Sequence, residues 1–146
     1  MFNVTDAWRA SFPGAAVGVL AMQNVDNPER HAGLEQRKGQ LLADLRARYA
    51  GYSREALAAI PILRAYGAYL KQFKKTYHVA LQLDSVVQKG KAIPSVAALV
   101  EAMFMAELDD LLLTAGHDLD SIVEPVTLDA STGREQYELL RGQAQQ

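Results

Sequence analysis

At 146 residues, with 49% hydrophobic and 22% charged residues, the chain has the make-up of a single globular domain rather than a disordered segment. It has no cysteine, which excludes a disulfide scaffold, a thiolate zinc site and a cysteine nucleophile. A net charge of −2 argues against indiscriminate nucleic-acid binding, and no apolar run reaches the roughly 18 residues of a membrane span.

Taken in chain order, Thr5-Asp6 is placed to cap a short helix running to Phe12, and Pro13-Gly14 stops it. Asp6 and Arg9 interrupt this apolar start and no basic leader precedes it, so a cytoplasmic location is expected. Ala15 to Gln23 predicts a strand buried on two sides, because Val17, Val19 and Ala21 alternate with Gly18, Leu20 and Met22. A turn-rich loop covers Asn24 to Pro28.

An amphipathic helix is predicted from Glu29 to Tyr49, with Leu34, Leu41, Leu45 and Tyr49 inward and Arg37, Lys38, Arg46 and Arg48 outward. Gly51 closes it, Ser53 caps a helix to Ile60, and Pro61 opens another to Phe73 with the stripe Ile62, Tyr66, Tyr69 and Phe73. A weaker helix covers Tyr77 to Gln88. Pro94-Ser95 opens a strong one whose apolar face is Leu99, Val100, Met103, Phe104 and Leu108. Leu111 to Ala115 predicts a buried strand and Gly116 to Asp120 an acidic loop. Val126 to Ala130 predicts a second strand, with Ser131-Thr132-Gly133 as a hairpin turn. Arg134 to Leu140 is either the returning strand or a terminal helix, and Gln143 to Gln146 a frayed tail. The fold class is therefore α+β, a helical middle between strands in one domain spanning 1–146.

Charge is polarised along the chain. Residues 64–91 hold six bases, Arg64, Lys71, Lys74, Lys75, Lys89 and Lys91, against the single acid Asp84; residues 101–129 hold eight acids and no base. The basic stretch, interleaved with Phe73 and Tyr77, has the composition that grips a phosphate backbone and stacks an unpaired base, although such aromatics more often pack into a core. His117-Asp118-Leu119-Asp120 could gather a divalent cation, but its aspartates are better read as ordering the loop, so no metal is expected. Glu107, Asp109 and Asp110 read as a solvated helix end. No phosphate loop, dinucleotide fingerprint or nucleophile elbow is present, and neither cofactor nor catalytic constellation is assigned.

The run Ile60-Pro61-Ile62-Leu63-Arg64-Ala65-Tyr66, followed by Tyr69, Phe73, Lys89-Gly90-Lys91-Ala92-Ile93-Pro94, Leu99-Val100-Glu101 and His117-Asp118-Leu119-Asp120-Ser121-Ile122, resembles a known domain. It is similar to the tRNA-binding and editing domain of the phenylalanyl-tRNA synthetase β chain and its free-standing relatives. The resemblance extends from about Pro13 to Tyr137. It implies a layered β/β/α fold, tRNA or aminoacyl-tRNA as partner, and a pocket that hydrolyses mischarged tRNA. On this reading the pocket candidates are Glu101, Phe104, Ala115, His117 and Asp118, and the RNA-binding candidates are Lys71, Lys74, Lys75, Lys89 and Lys91.

The residues depart from the family at the pocket. Its aspartate is Glu101 here, its threonine and asparagine fall on Met103 and Phe104, and its histidine falls on Ala115. Discrimination against a hydroxyl needs buried hydrogen-bond partners, so these changes favour a more apolar binding pocket over the family's editing chemistry. Relatives continue past the equivalent of Tyr137. The chain is thus read as C-terminally truncated, a minimal variant, or a sheet whose open edge invites a homodimer. Three functions follow: tRNA-associated binding, trans-editing hydrolysis, and small-molecule or protein binding on a retained fold.

Overall fold

A computed structural model describes residues 2–138, 144 and 145. Contacts divide the chain into two compact units, one from Met1–Gln23 with His117–Gln146 and the other Asn24–Gly116.

In the first unit, β1 (Phe2–Val4) pairs in parallel with β2 (Val126–Leu128), Asn3 opposite Thr127. Helix α1 (Asp6–Ser11) follows at once, and the Thr5 hydroxyl caps it by accepting from the Trp8 N–H at 3.1 Å. Gly14, at φ +79, makes the stop after it. The strand expected over Ala15 to Gln23 is absent: no residue there is in a strand, and Val17, Val19, Leu20 and Met22 are exposed. Alternation supplies strand-forming side chains but not a partner edge, and β1 and β2 engage each other. Val126 to Ala130 does contribute a strand, though to β1 rather than to a hairpin. At Ser131–Gly133 the Glu135 carboxylate instead accepts from the Ser131 hydroxyl and from both the N–H and the hydroxyl of Thr132. β3 (Tyr137–Glu138) pairs antiparallel with β4 (Ala144–Gln145), so the expected tail carries a short strand. Gln143 and Gln146 lie outside the described residues.

The second unit is helical. Helix α2 (Ala32–Arg48) starts at the His31 ring, whose Nδ1 accepts from the Leu34 N–H. The Ser53 hydroxyl caps α3 (Arg54–Ala58), and Pro61 occupies the first turn of α4 (Pro61–Lys71), where its missing N–H costs nothing. α5 (His78–Val87) and α6 (Ala98–Asp110) complete the set. Leu45, Leu63, Tyr77, Val79, Leu83, Ile93, Met105 and Leu108 form its core.

Three expectations are corrected here. Lys38, expected outward, sits one turn from Leu34 on the inward stripe of α2 and is buried. Helix α6 begins at Ala98, not Pro94, and the Asn27 side chain accepts from the Leu99 N–H in its first turn. Its buried face is Ala98, Glu101, Met105 and Leu108, while Val100 is exposed. Leu111 to Ala115 is not a strand either: Leu111 adopts φ +60 and ends α6, leaving Leu112 and Leu113 exposed. Among the described residues no helix is long and apolar enough to cross a membrane.

Candidate functional site

The corner between α4 and α5 carries the first group of candidate residues. Three backbone bonds shape it: the Phe73 and Lys75 N–H groups donate to the Leu70 carbonyl, and the Lys74 N–H donates to that of Lys71. The aromatics then separate into two sets. Tyr66 and Tyr77 stack at 4.3 Å between ring centroids, with Tyr77 buried and its hydroxyl donating to the Leu111 carbonyl at 2.9 Å. Burial, then the neighbouring Tyr66 and Glu107, lifts the Tyr77 phenol well above its ordinary range. Tyr69 and Phe73, by contrast, are 46% and 56% exposed and meet edge to face at 5.3 Å.

Helical geometry explains the split. Ile62 and Tyr69 lie about a quarter turn around α4 from Leu63 and Leu70, which face the core. The stripe expected inward is therefore the outward one, except for Tyr66. Lys71, Lys74 and Lys75 flank this exposed pair and form no ion pair among the described residues.

The five candidate lysines do not share one patch. Lys89 and Lys91 follow the far end of α5, and a helix of its length spans about 15 Å. Lys89 is occupied: its Nζ lies 2.9 Å from Asp84, which Arg54 also contacts. These partners, Lys89 first, hold the Asp84 carboxyl below its usual range. Lys91 has no ion-pair partner among the described residues.

Between the two ends runs a cleft of about 390 Å³. One side of α5 supplies His78, Gln82 and Ser85, spaced so that all lie on a single helix face. The opposite wall is Ile93, Pro94, Phe104 and Leu108, and Lys91 stands at the rim. Arg46 pins that rim by donating to the carbonyls of Gly90 and Lys91, and the Lys91 N–H donates to the Ser85 carbonyl. Gln82 lines the cleft as a residue, but its Oε1 is shielded from it, buried without a hydrogen-bond partner. A second, more open hollow lies in the first unit against Trp8 and Phe12.

Two buried carboxylates on α6 frame the site. Glu101 receives Lys38 Nζ at 2.8 Å and the Val96 N–H at 2.7 Å, and Lys38 also reaches Glu35 and Ser95. The Lys38 bond, then the Val96 amide, lowers the Glu101 carboxyl below its usual range. Desolvation opposes the charge on Lys38, but its two carboxylate partners prevail and raise it. Because Ser95 and Val96 follow the cleft wall at Pro94, this pair positions that wall.

Glu107 is the other carboxylate. Its Oε1 accepts from the N–H and the hydroxyl of Thr114, whereas Oε2 has no hydrogen bond and faces His78 Nε2 at 3.4 Å.

Of the pocket candidates, only Phe104 lines the cleft. Glu101 is committed to Lys38, Ala115 is exposed, and His117 and Asp118 are exposed residues of the first unit. Asp118 orders its loop, accepting from the Asp120 N–H and the Ser121 hydroxyl. Glu107 corrects the reading of a solvated helix end, which holds only for Asp109 and Asp110. Sequence reasoning put Lys38 and Glu107 in solvent and gave His78 and Gln82 no role. The first was legible, since it falls between Leu34 and Leu41 in a helical stripe. Comparison of the chain with family models, curated proteins and solved structures found no match.

Proposed function

We propose that the chain is a tRNA- or aminoacyl-tRNA-associated binding domain, similar to the module in the phenylalanyl-tRNA synthetase β chain. What supports the reading best is the α4–α5 corner, where an exposed Tyr69–Phe73 pair stands among three lysines that form no ion pair among the described residues. Aromatic faces stack unpaired bases and lysines neutralise phosphates, and together they suit single-stranded or looped RNA better than duplex. Both rings keep about half of their surface in water, which leaves faces free to stack a base. The order and spacing of the sequence elements supply the second support, and with them comes the proposal of the layered β/β/α fold.

Binding is favoured over editing hydrolysis for a specific reason. Glu101, the carboxylate at the family's acidic position, is buried and held by Lys38 and the Val96 amide rather than presented to a substrate.

Filter binding of tRNA at rising salt tests the proposal. Engaging Lys71, Lys74 and Lys75 with a single strand gives a slope of log affinity against log salt of about −2. Tyr69→Ala with Phe73→Ala should weaken binding by about tenfold or more, from the stacking lost. Reversing the three lysines to glutamate should abolish retention. Retention that ignores salt, or that both variants leave intact, would sink the reading.

A further inference from the structure

We infer that the cleft between α5 and α6 is a docking site for a second copy of this chain, which inserts segment 118–123 of its first unit. The inference stands apart from the RNA-binding reading and needs no nucleic acid.

The cleft is apolar along its walls and cationic at its rim. Leu81, Ile93, Pro94 and Phe104 line it, and Leu81 is more than half exposed. Lys91 is exposed at the rim and has no ion-pair partner among the described residues. No carboxylate belongs to the lining. Such a groove takes up apolar side chains, and its charge selects those carried on an acidic segment.

Segment 118–123 answers both demands. Val123 is 90% exposed, more than any other large hydrophobic side chain among the described residues, and Leu119 is exposed as well. Asp118 and Asp120 accompany them, within the stretch 101–129 that holds eight acids and no base. An acidic run of this kind has no part in gripping a phosphate backbone, and a cationic rim gives it one. The segment is shaped before it docks. Leu119–Ser121 form a single 3₁₀ turn, and the Asp118 carboxylate accepts from the Asp120 N–H and the Ser121 hydroxyl, so little ordering remains to be done on binding.

The stretch from Val17 to Met22 is also exposed and apolar, but it carries no charge and leaves Lys91 without a counterpart. Each copy has one cleft and one acidic segment, so two copies can serve each other reciprocally, as in a two-fold dimer. A loop seated in a groove belongs to the small interfaces, below about 1,200 Å² in total, which assemble weakly and reversibly.

Sedimentation of the full chain over a concentration series, without nucleic acid, tests this. The expected result is a reversible passage from monomer to dimer as concentration rises. Val123→Asp and Leu81→Glu change exposed side chains, so both variants should fold and melt like the parent. Each should nevertheless weaken association about tenfold or more. Mixed together they should form a heterodimer that neither forms alone, because the first keeps a working cleft and the second a working segment. Lys91→Asp and Asp120→Lys should each weaken the dimer by about threefold or more, and the chain carrying both should recover most of that loss. A chain that stays monomeric to its solubility limit, a dimer that both apolar variants leave intact, or a double charge variant no better than the single ones overturns the inference. Association lost in Leu20→Asp but kept in Val123→Asp overturns the choice of segment 118–123.

Discussion

Helix α6 buries two carboxylates about two turns apart, and they have been treated in opposite ways. Glu101, on the side facing α2, has both oxygens occupied by Lys38 Nζ and the Val96 amide. Glu107, on the side facing α5, has one oxygen held by Thr114 and the other bare, 3.4 Å from a half-exposed histidine. A closed network makes one arrangement of the chain much better than any other, and here it fixes the loop that forms the cleft wall. An open one leaves a buried acceptor unsatisfied, a cost that the fold carries at this position. The same residue type on one helix thus closes a network on one side and leaves a buried oxygen unpaired on the other.

Breaking the closed side has the largest expected effect. Lys38→Ala strands a buried carboxylate and should cost about 3 kcal/mol, seen as a lower urea midpoint. Replacing both partners, Lys38→Met with Glu101→Met, should recover most of that loss, because an apolar pair of similar volume leaves nothing unsatisfied. Next comes a contrast between matched substitutions. Glu101→Gln removes the charge that Lys38 needs and should destabilise clearly. Glu107→Gln keeps the acceptor for Thr114 and places an N–H₂ toward His78, so it should stay within about 1 kcal/mol of the parent. The reverse order in thermal melts would refute the distinction between the two sides.

A smaller effect is read from pH. Glu101 titrates below its ordinary value of 4.5 when folded, so on acidification the unfolded chain takes up the proton first. The stability it provides is complete above about pH 4.5 and drains away as pH falls through the lower folded value. Asp84 and Glu135 are lowered too, so the share of Glu101 is the difference between the parent and the Lys38→Met, Glu101→Met profiles from pH 3 to 7. Identical profiles would show that the pair is not linked to folding.

Most of the helices were legible in the sequence. Caps at Thr5 in the first unit and Ser53 in the second, the proline opening α4 and the stripe through Leu45 are local signals, and each α-helix was foreseen within a few residues. Sheet pairing was not, because Val17 to Met22 carries strand chemistry without naming a neighbour, while β1 was too short to signal itself. For the site, Phe104 and the lysines were visible as residue types. Gln82 was not, since an amide inside a weakly amphipathic helix looks the same whether it meets water or a cleft. Tyr69 and Phe73 were assigned to the interior on the strength of their apolarity. A quarter-turn difference around α4 decides that question, and only packing against α3 and the rest of the core settles where the zero of that angle lies.

Lys74 sits in the left-handed region at φ +54, a backbone shape that a side chain makes costly by roughly 1 kcal/mol and that glycine adopts freely. A glycine there should therefore make the chain harder to melt while removing one of the three cations beside Tyr69 and Phe73. On the proposed RNA-binding reading, thermal hardiness and grip on a polyanion pull in opposite directions at this one position. Lys74→Gly selected for heat resistance alone would be expected to let go of RNA sooner.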